Sequence, residues 1–155
     1  MMTSKTVLLT GISGFIAKRI ALDLLNQGYS VVGSLRSLHR ADEVKSALKD
    51  KLTDPTNIEK QLRFVKLDLN SDDGWNDAMS GIDSLIHTAS PFPIAQPKNE
   101  DELVRPAVQG TLRALRSAQR AGVTRVVLTS SIVAIMNKEK PEGAPLTEED
   151  WTDLS

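Results

Sequence analysis

Short apolar runs rich in β-branched residues alternate along the chain with longer stretches in which apolar side chains recur every three or four positions. The runs predict strands at 5–10, 30–35, 62–66, 83–87 and 124–129. The longer stretches predict helices over most of 14–27, 40–50, 73–80 and 99–121. Regular alternation of strand and helix is the signature of a parallel sheet covered on both faces, so the fold class is α/β. On the first helix Phe15, Ile16, Ile20, Leu24 and Leu25 fall along one stripe, and Gly28 supplies its stop. The long helix repeats the device with Val104, Val108, Thr111, Leu115 and Ala118 and ends before Gly122. Pro106 disturbs its early part, because proline removes a backbone donor. Segments 51–61 and 90–99, with Pro55, Pro91, Pro93 and Pro97, read as loops, and no internal repeat or low-complexity tract interrupts the pattern.

The junction between the first strand and the first helix carries the clearest chemistry. Val7-Leu8-Leu9 runs directly into Thr10-Gly11-Ile12-Ser13-Gly14-Phe15-Ile16-Ala17. Gly11 lets the chain turn sharply, Gly14 lets backbone approach a diphosphate with no Cβ in the way, and Ala17 keeps the first helical turn close to the strand. Free N–H groups of the turn and of Phe15 and Ile16, with the positive end of the helix dipole, then face an anion. The spacing is Gly-x-x-Gly-x-x-Ala rather than Gly-x-Gly-x-x-Gly. Its position between strand and helix is what gives it weight, since two glycines can also merely end a strand and cap a helix.

Composition narrows the partners. A chain of 155 residues suits one domain, 1–155, and is too short for two comfortable ones. A net charge of −1 gives no general attraction to nucleic acid or to an anionic membrane, so local basic groups must carry any anion recognition. The absence of cysteine removes disulfides, thiolate chemistry and cysteine-ligated zinc. His39 and His87, the two histidines, show no ligand-like spacing, and no metal site is expected. The stretch Met1-Met2-Thr3-Ser4-Lys5 lacks the apolar core of a signal peptide and no run reaches membrane-spanning length, which fits a cytoplasmic enzyme domain.

In a dinucleotide fold the end of the second strand reaches the adenosine ribose, where an acidic residue would bind both hydroxyls and repel a phosphate. This chain reads Val32-Gly33-Ser34-Leu35-Arg36-Ser37-Leu38-His39-Arg40 there, with no acid. Arg36 falls where a 2′-phosphate would sit, Arg40 lies nearby, and Ser37 could add a hydrogen bond. NADP is favoured over NAD; the competing reading is a solvated basic loop leading into a helix. Asp68-Leu69 follows the third strand at the edge where adenine would lie, and Asp68 could accept from its amino group or serve as a turn residue before the next helix. Thr88, Ala89 and Ser90 end the fourth strand with small side chains suited to backbone packed on ribose and diphosphate. His87, just before them, is assigned no catalytic role.

Taken in order, Thr10 to Ala17, Asp68-Leu69, His87 to Pro91, Val104 to Thr111 and Val126-Val127-Leu128-Thr129-Ser130-Ser131 resemble the extended branch of the short-chain dehydrogenase/reductase superfamily. Arg36 with His87-Thr88-Ala89-Ser90-Pro91 is most similar to its dihydroflavonol reductase and cinnamoyl-CoA reductase group. The resemblance implies a Rossmann-like doubly wound sheet of order 3-2-1-4-5 and an NADPH-dependent reductase acting on a small-molecule carbonyl or alcohol. It assigns Ser131, with Ser130 as the alternative, to the substrate oxygen. The family's Tyr-x-x-x-Lys pair is not in this sequence, whose one tyrosine is Tyr29, and the segments that build its substrate domain are missing too. The expectation is the cofactor half of a longer reductase, inactive alone, with Val126, Leu128, Ile132 and Ile135 short of apolar cover and prone to pair two copies. The alternatives are a complete, non-catalytic NADP-binding or redox-sensing module and a fragment of a sugar-nucleotide epimerase or dehydratase.

Overall fold

The computed structural model describes residues 5–91, 99–136 and 143–153. Five parallel strands form one sheet: β1 (Thr6–Thr10), β2 (Ser30–Leu35), β3 (Leu62–Lys66), β4 (Ser84–His87) and β5 (Arg125–Leu128). Their order is β3-β2-β1-β4-β5, the doubly wound arrangement expected, and the sequence crosses from one half of the sheet to the other between β3 and β4. Register follows the apolar pattern: Leu8 pairs with Val32 on one side and Leu85 on the other. Successive strand residues face opposite ways, so the alternation splits the core in two. Leu8, Val32 and Leu85 meet Trp75, Met79, Ala114 and Ala118 on one face, while Leu9 and Val31 meet Ile12, Ala21, Leu25, Val44 and Ile58 on the other.

The helices are α1 (Phe15–Asn26), α2 (Ala41–Lys49), α3 (Ile58–Gln61), α4 (Trp75–Ala78) and α5 (Asp101–Arg120). Four depart from the sequence reading. The loop expected at 51–61 contains the single turn α3, anchored by buried Ile58; one apolar residue among polar ones gives no periodicity to read. The helix expected at 73–80 shrinks to α4, because Gly74 enters it at φ +78°. α5 runs unbroken through Pro106, but its buried face is Gly110, Ala114, Ser117 and Ala118, and the supposed core residues Val104 and Val108 are exposed. Small residues win there because α5 lies close against its neighbours: a Cβ on Gly110 would come 2.7 Å from that of Leu69. Likewise Phe15 and Ile16 stand exposed on α1, and Ala17, Ala21 and Leu25 make its buried stripe. Of the proline-bearing loop at 90–99, residues 92–98, with Pro93 and Pro97, lie outside the described residues.

One region has little cover. All of β5 is exposed, as are Ile132 and Val133 in the 3-10 turn that follows, while Ile135 is half-buried. Residues 143–153 reach this end through Thr152, which donates from its N–H to the Ala134 carbonyl (2.8 Å) and from its hydroxyl to that of Val133 (2.7 Å).

Candidate functional site

The carboxyl ends of β1, β2, β3 and β4 surround a cavity of about 610 Å³, within the size range of ligand sites. Gly11, Ser13 and Gly14 form its floor, Arg36 and Asp68-Leu69 one side, and Thr88, Ala89 and Ser90 the other. Nine of the residues singled out in the sequence thus converge on one opening from four strand ends.

Local chemistry explains the floor. Gly11 takes φ +67°, a left-handed conformation that side chains rarely adopt. A Cβ on it would also meet the Cα of Ala89 at 3.1 Å, so β1 and β4 exit in direct contact. Gly14 N–H closes the turn onto the Gly11 carbonyl (2.9 Å), and Gly14 is the N-cap of α1. No side chain caps that helix and no acidic residue sits in its first turn. The amides of Phe15 and Ile16 are therefore first-turn donors without a helical partner, beside a positive dipole end, which is how an anion is held.

Thr10 is placed behind the cavity wall rather than in it. Its Oγ1 accepts from the N–H groups of Thr88 and Ala89, both at 3.1 Å, and lies 2.8 Å from His87 Nδ1. With both lone pairs engaged, its proton goes to Nδ1, and His87 is fixed as the Nε2–H tautomer. The Thr88 hydroxyl returns the contact by donating to the Thr10 carbonyl at 2.6 Å. His87 is almost fully buried, and burial pushes its pKa down to about 4. Its Nε2 has no hydrogen-bond partner, and the ring lies tilted at 6.4 Å from the indole of Trp75.

The two arginines separate. Arg36 lines the cavity and has no carboxylate partner among the described residues. Arg40 is outside the lining, forked onto Glu43 with both bonds at 2.9 Å, which raises the arginine pKa and lowers that of the carboxyl. Ser37 is also outside, its hydroxyl 2.5 Å from His39 Nδ1. Asp68 serves the turn through Oδ1, which accepts from Asn70 N–H at 2.8 Å, and its second carboxylate oxygen takes no hydrogen bond among the described residues. Ser131 lies beyond β5 and is exposed; its Oγ accepts from Val133 N–H at 3.3 Å, so its proton can be donated elsewhere. The strand exits that carry it and the cavity are adjacent, Thr129 N–H bonding the His87 carbonyl at 3.0 Å.

Sequence reasoning missed Ser34, Trp75, Glu102 and Pro106, all in the cavity wall. Trp75 is buried and its indole N–H is shared between the carbonyls of Asp68 (3.2 Å) and Ser71 (3.0 Å), so it shapes the loop that presents Asp68. The signal available was a tryptophan just after a polar turn, since a buried indole must find an acceptor.

A glycine cradle with an uncapped helix, and a cation at the end of β2 in a stretch, Arg36 to Arg40, that holds no acidic residue, suit a dinucleotide with a phosphorylated ribose. The family model for the NAD dependent epimerase/dehydratase family matches residues 7–153. The chain belongs to that family. It is 38% identical over 151 residues to tetraketide alpha-pyrone reductase 1 of Arabidopsis thaliana, covering 96% of this chain and 44% of the relative. Dihydroflavonol 4-reductase of Hordeum vulgare is 30% identical over 149 residues, with 96% and 40% covered. Among solved structures, yeast methylglyoxal/isovaleraldehyde reductase Gre2 complexed with NADPH superposes with a TM-score of 0.81 at 30% identity, over 97% of this chain and 44% of that one. The chain spans less than half the length of these relatives.

Proposed function

We propose that this chain is the NADP-binding part of a longer NADPH-dependent reductase that converts a small-molecule carbonyl to an alcohol, reversibly. The observation that carries the reading is Arg36, in the cavity wall at the end of β2, with no carboxylate partner among the described residues and in a stretch, Arg36 to Arg40, that holds no acidic residue. Its guanidinium would take the 2′-phosphate through two charge-assisted bonds, and the uncapped amides of α1 would take the diphosphate. Asp68 would accept from the adenine amino group, with Thr88, Ala89 and Ser90 lining the ribose side. Bound there, the cofactor supplies a hydride. Ser131 would donate its free hydroxyl proton as a hydrogen bond to the substrate oxygen, and the sequence, whose one tyrosine is Tyr29, holds no Tyr-x-x-x-Lys pair to complete the acid catalysis. The likeness to NADPH-bound Gre2 and to plant reductases supports this reading, and the exposed β5 face supports a longer parent.

Calorimetric titration of the protein at its natural length tests it. NADPH should bind about ten- to a hundredfold more tightly than NADH, and Arg36→Glu should erode or reverse that preference. Equal affinity for the two would refute the assignment of Arg36. Affinity for NADPH without turnover of any carbonyl at natural length would favour a non-catalytic binding module instead.

A further inference from the structure

Between the glycine cradle and Arg36 lies one buried polar side chain with no assigned role. Ser34, near the end of β2, is 4% exposed and forms part of the cavity wall. Its Oγ accepts from Gly11 N–H at 3.1 Å, and its carbonyl accepts from Ile12 N–H at 3.2 Å. Two successive amides of the turn are therefore held by one residue, once through its side chain and once through its backbone. Gly33 completes the socket: a Cβ there would come 2.4 Å from Ile12 Cδ1, so the turn seats directly against β2. Without the serine oxygen, the Gly11 amide would be left unpaired in a part-buried place, at the residue whose φ defines the turn.

We propose that Ser34 is a positioning residue that fixes the Gly11 turn, and with it the α1 amides that receive the diphosphate, relative to the strand end that carries Arg36. The inference deepens the proposed function and rests on it. Ser34 acts on a part of the site common to both nicotinamide cofactors, whereas Arg36 acts on the phosphate that only one of them has. The two should therefore be separable.

The test is steady-state kinetics with NADPH and NADH on the natural-length protein. Ser34→Ala should raise KM for both cofactors by the same factor, about five- to tenfold, leaving their ratio and kcat unchanged. Ser34→Thr, which keeps the hydroxyl, should restore most of the affinity. Hydrogen exchange at the Gly11 amide without cofactor gives a second measurement: it should quicken about fivefold or more in Ser34→Ala while the amides of β1 keep their protection. Unchanged KM together with unchanged exchange overturns the proposal, as does a loss confined to NADPH, which would put Ser34 on the 2′-phosphate. If the unmodified protein binds neither cofactor, the reading of the site falls and this inference with it. If it binds and Ser34→Ala is indifferent, this inference falls alone.

Discussion

β1 and β5 carry nearly the same message in sequence, Val7-Leu8-Leu9-Thr10 against Val126-Val127-Leu128-Thr129, and meet opposite fates. Val7, Leu8 and Leu9 are 3%, 0% and 0% exposed; Val126, Val127 and Leu128 are 39%, 59% and 48% exposed. Both are parallel strands with good ladders, so backbone pairing does not make the difference. Cover does. β1 is central, with α1 and α2 on one face and α4 and α5 on the other, whereas β5 is an edge on which little packs. An apolar run thus states a demand for burial, and only the surroundings decide whether the demand is met.

The comparison can be broken most sharply at the two threonines. Thr10→Val removes the acceptor for Thr88 and Ala89 N–H and the donor to His87 Nδ1, and should cost about 3 kcal/mol or more in urea unfolding. Thr129→Val, at an exposed site, should stay within about 0.5 kcal/mol. Similar losses from the two would show that the Thr10 network is not what holds the strand ends.

Leucine to alanine comes next. Leu9→Ala should destabilise by about 2–5 kcal/mol, because it empties a packed site, while Leu128→Ala, half in solvent already, should cost about 1 kcal/mol or less. A large cost at Leu128 in the natural-length protein, with a small one in the 155-residue chain, would show further sequence covering β5.

The third prediction concerns pH and sets β4 against β5, which has no titratable group in a comparable place. His87 is held neutral in the fold with a pKa of about 4, against an ordinary value of 6.5. Between those values the unfolded chain binds the proton and the folded one does not. Stability should therefore fall as pH drops through this window, by about 3 kcal/mol in all, and His87→Gln should flatten that stretch of the profile. An unchanged slope in the variant would mean that His87 does not drive it.

The glycine turn was legible because it is local: Gly11, Ser13 and Gly14 lie consecutively at a strand–helix junction, and only their spacing is needed to see it. Arg36 and Asp68 were legible through strand order, since each follows the end of a strand whose place in the sheet the family resemblance implied. The work of the Thr10 hydroxyl was not legible, because its partners are residues 77 to 79 positions away. Ser34 was passed over for the same reason, since the Gly11 amide it holds is brought from another strand end, whereas the acceptors of Trp75 lie only four and seven residues before it and left a local signal that went unused.

By itself the sequence determined the α/β alternation, the glycine turn between β1 and α1 and the cation at the end of β2, all consequences of short-range patterning and residue chemistry, while the order of strands came from the family resemblance. Only the tertiary structure decided which apolar stripes are buried, that Phe15, Val104 and Val108 face outward while Gly110 and Ala114 face in, and that Arg40 is engaged by Glu43 while Arg36 is free of any carboxylate among the described residues. Burial and pairing are properties of two surfaces at once, and one stretch of chain specifies only its own.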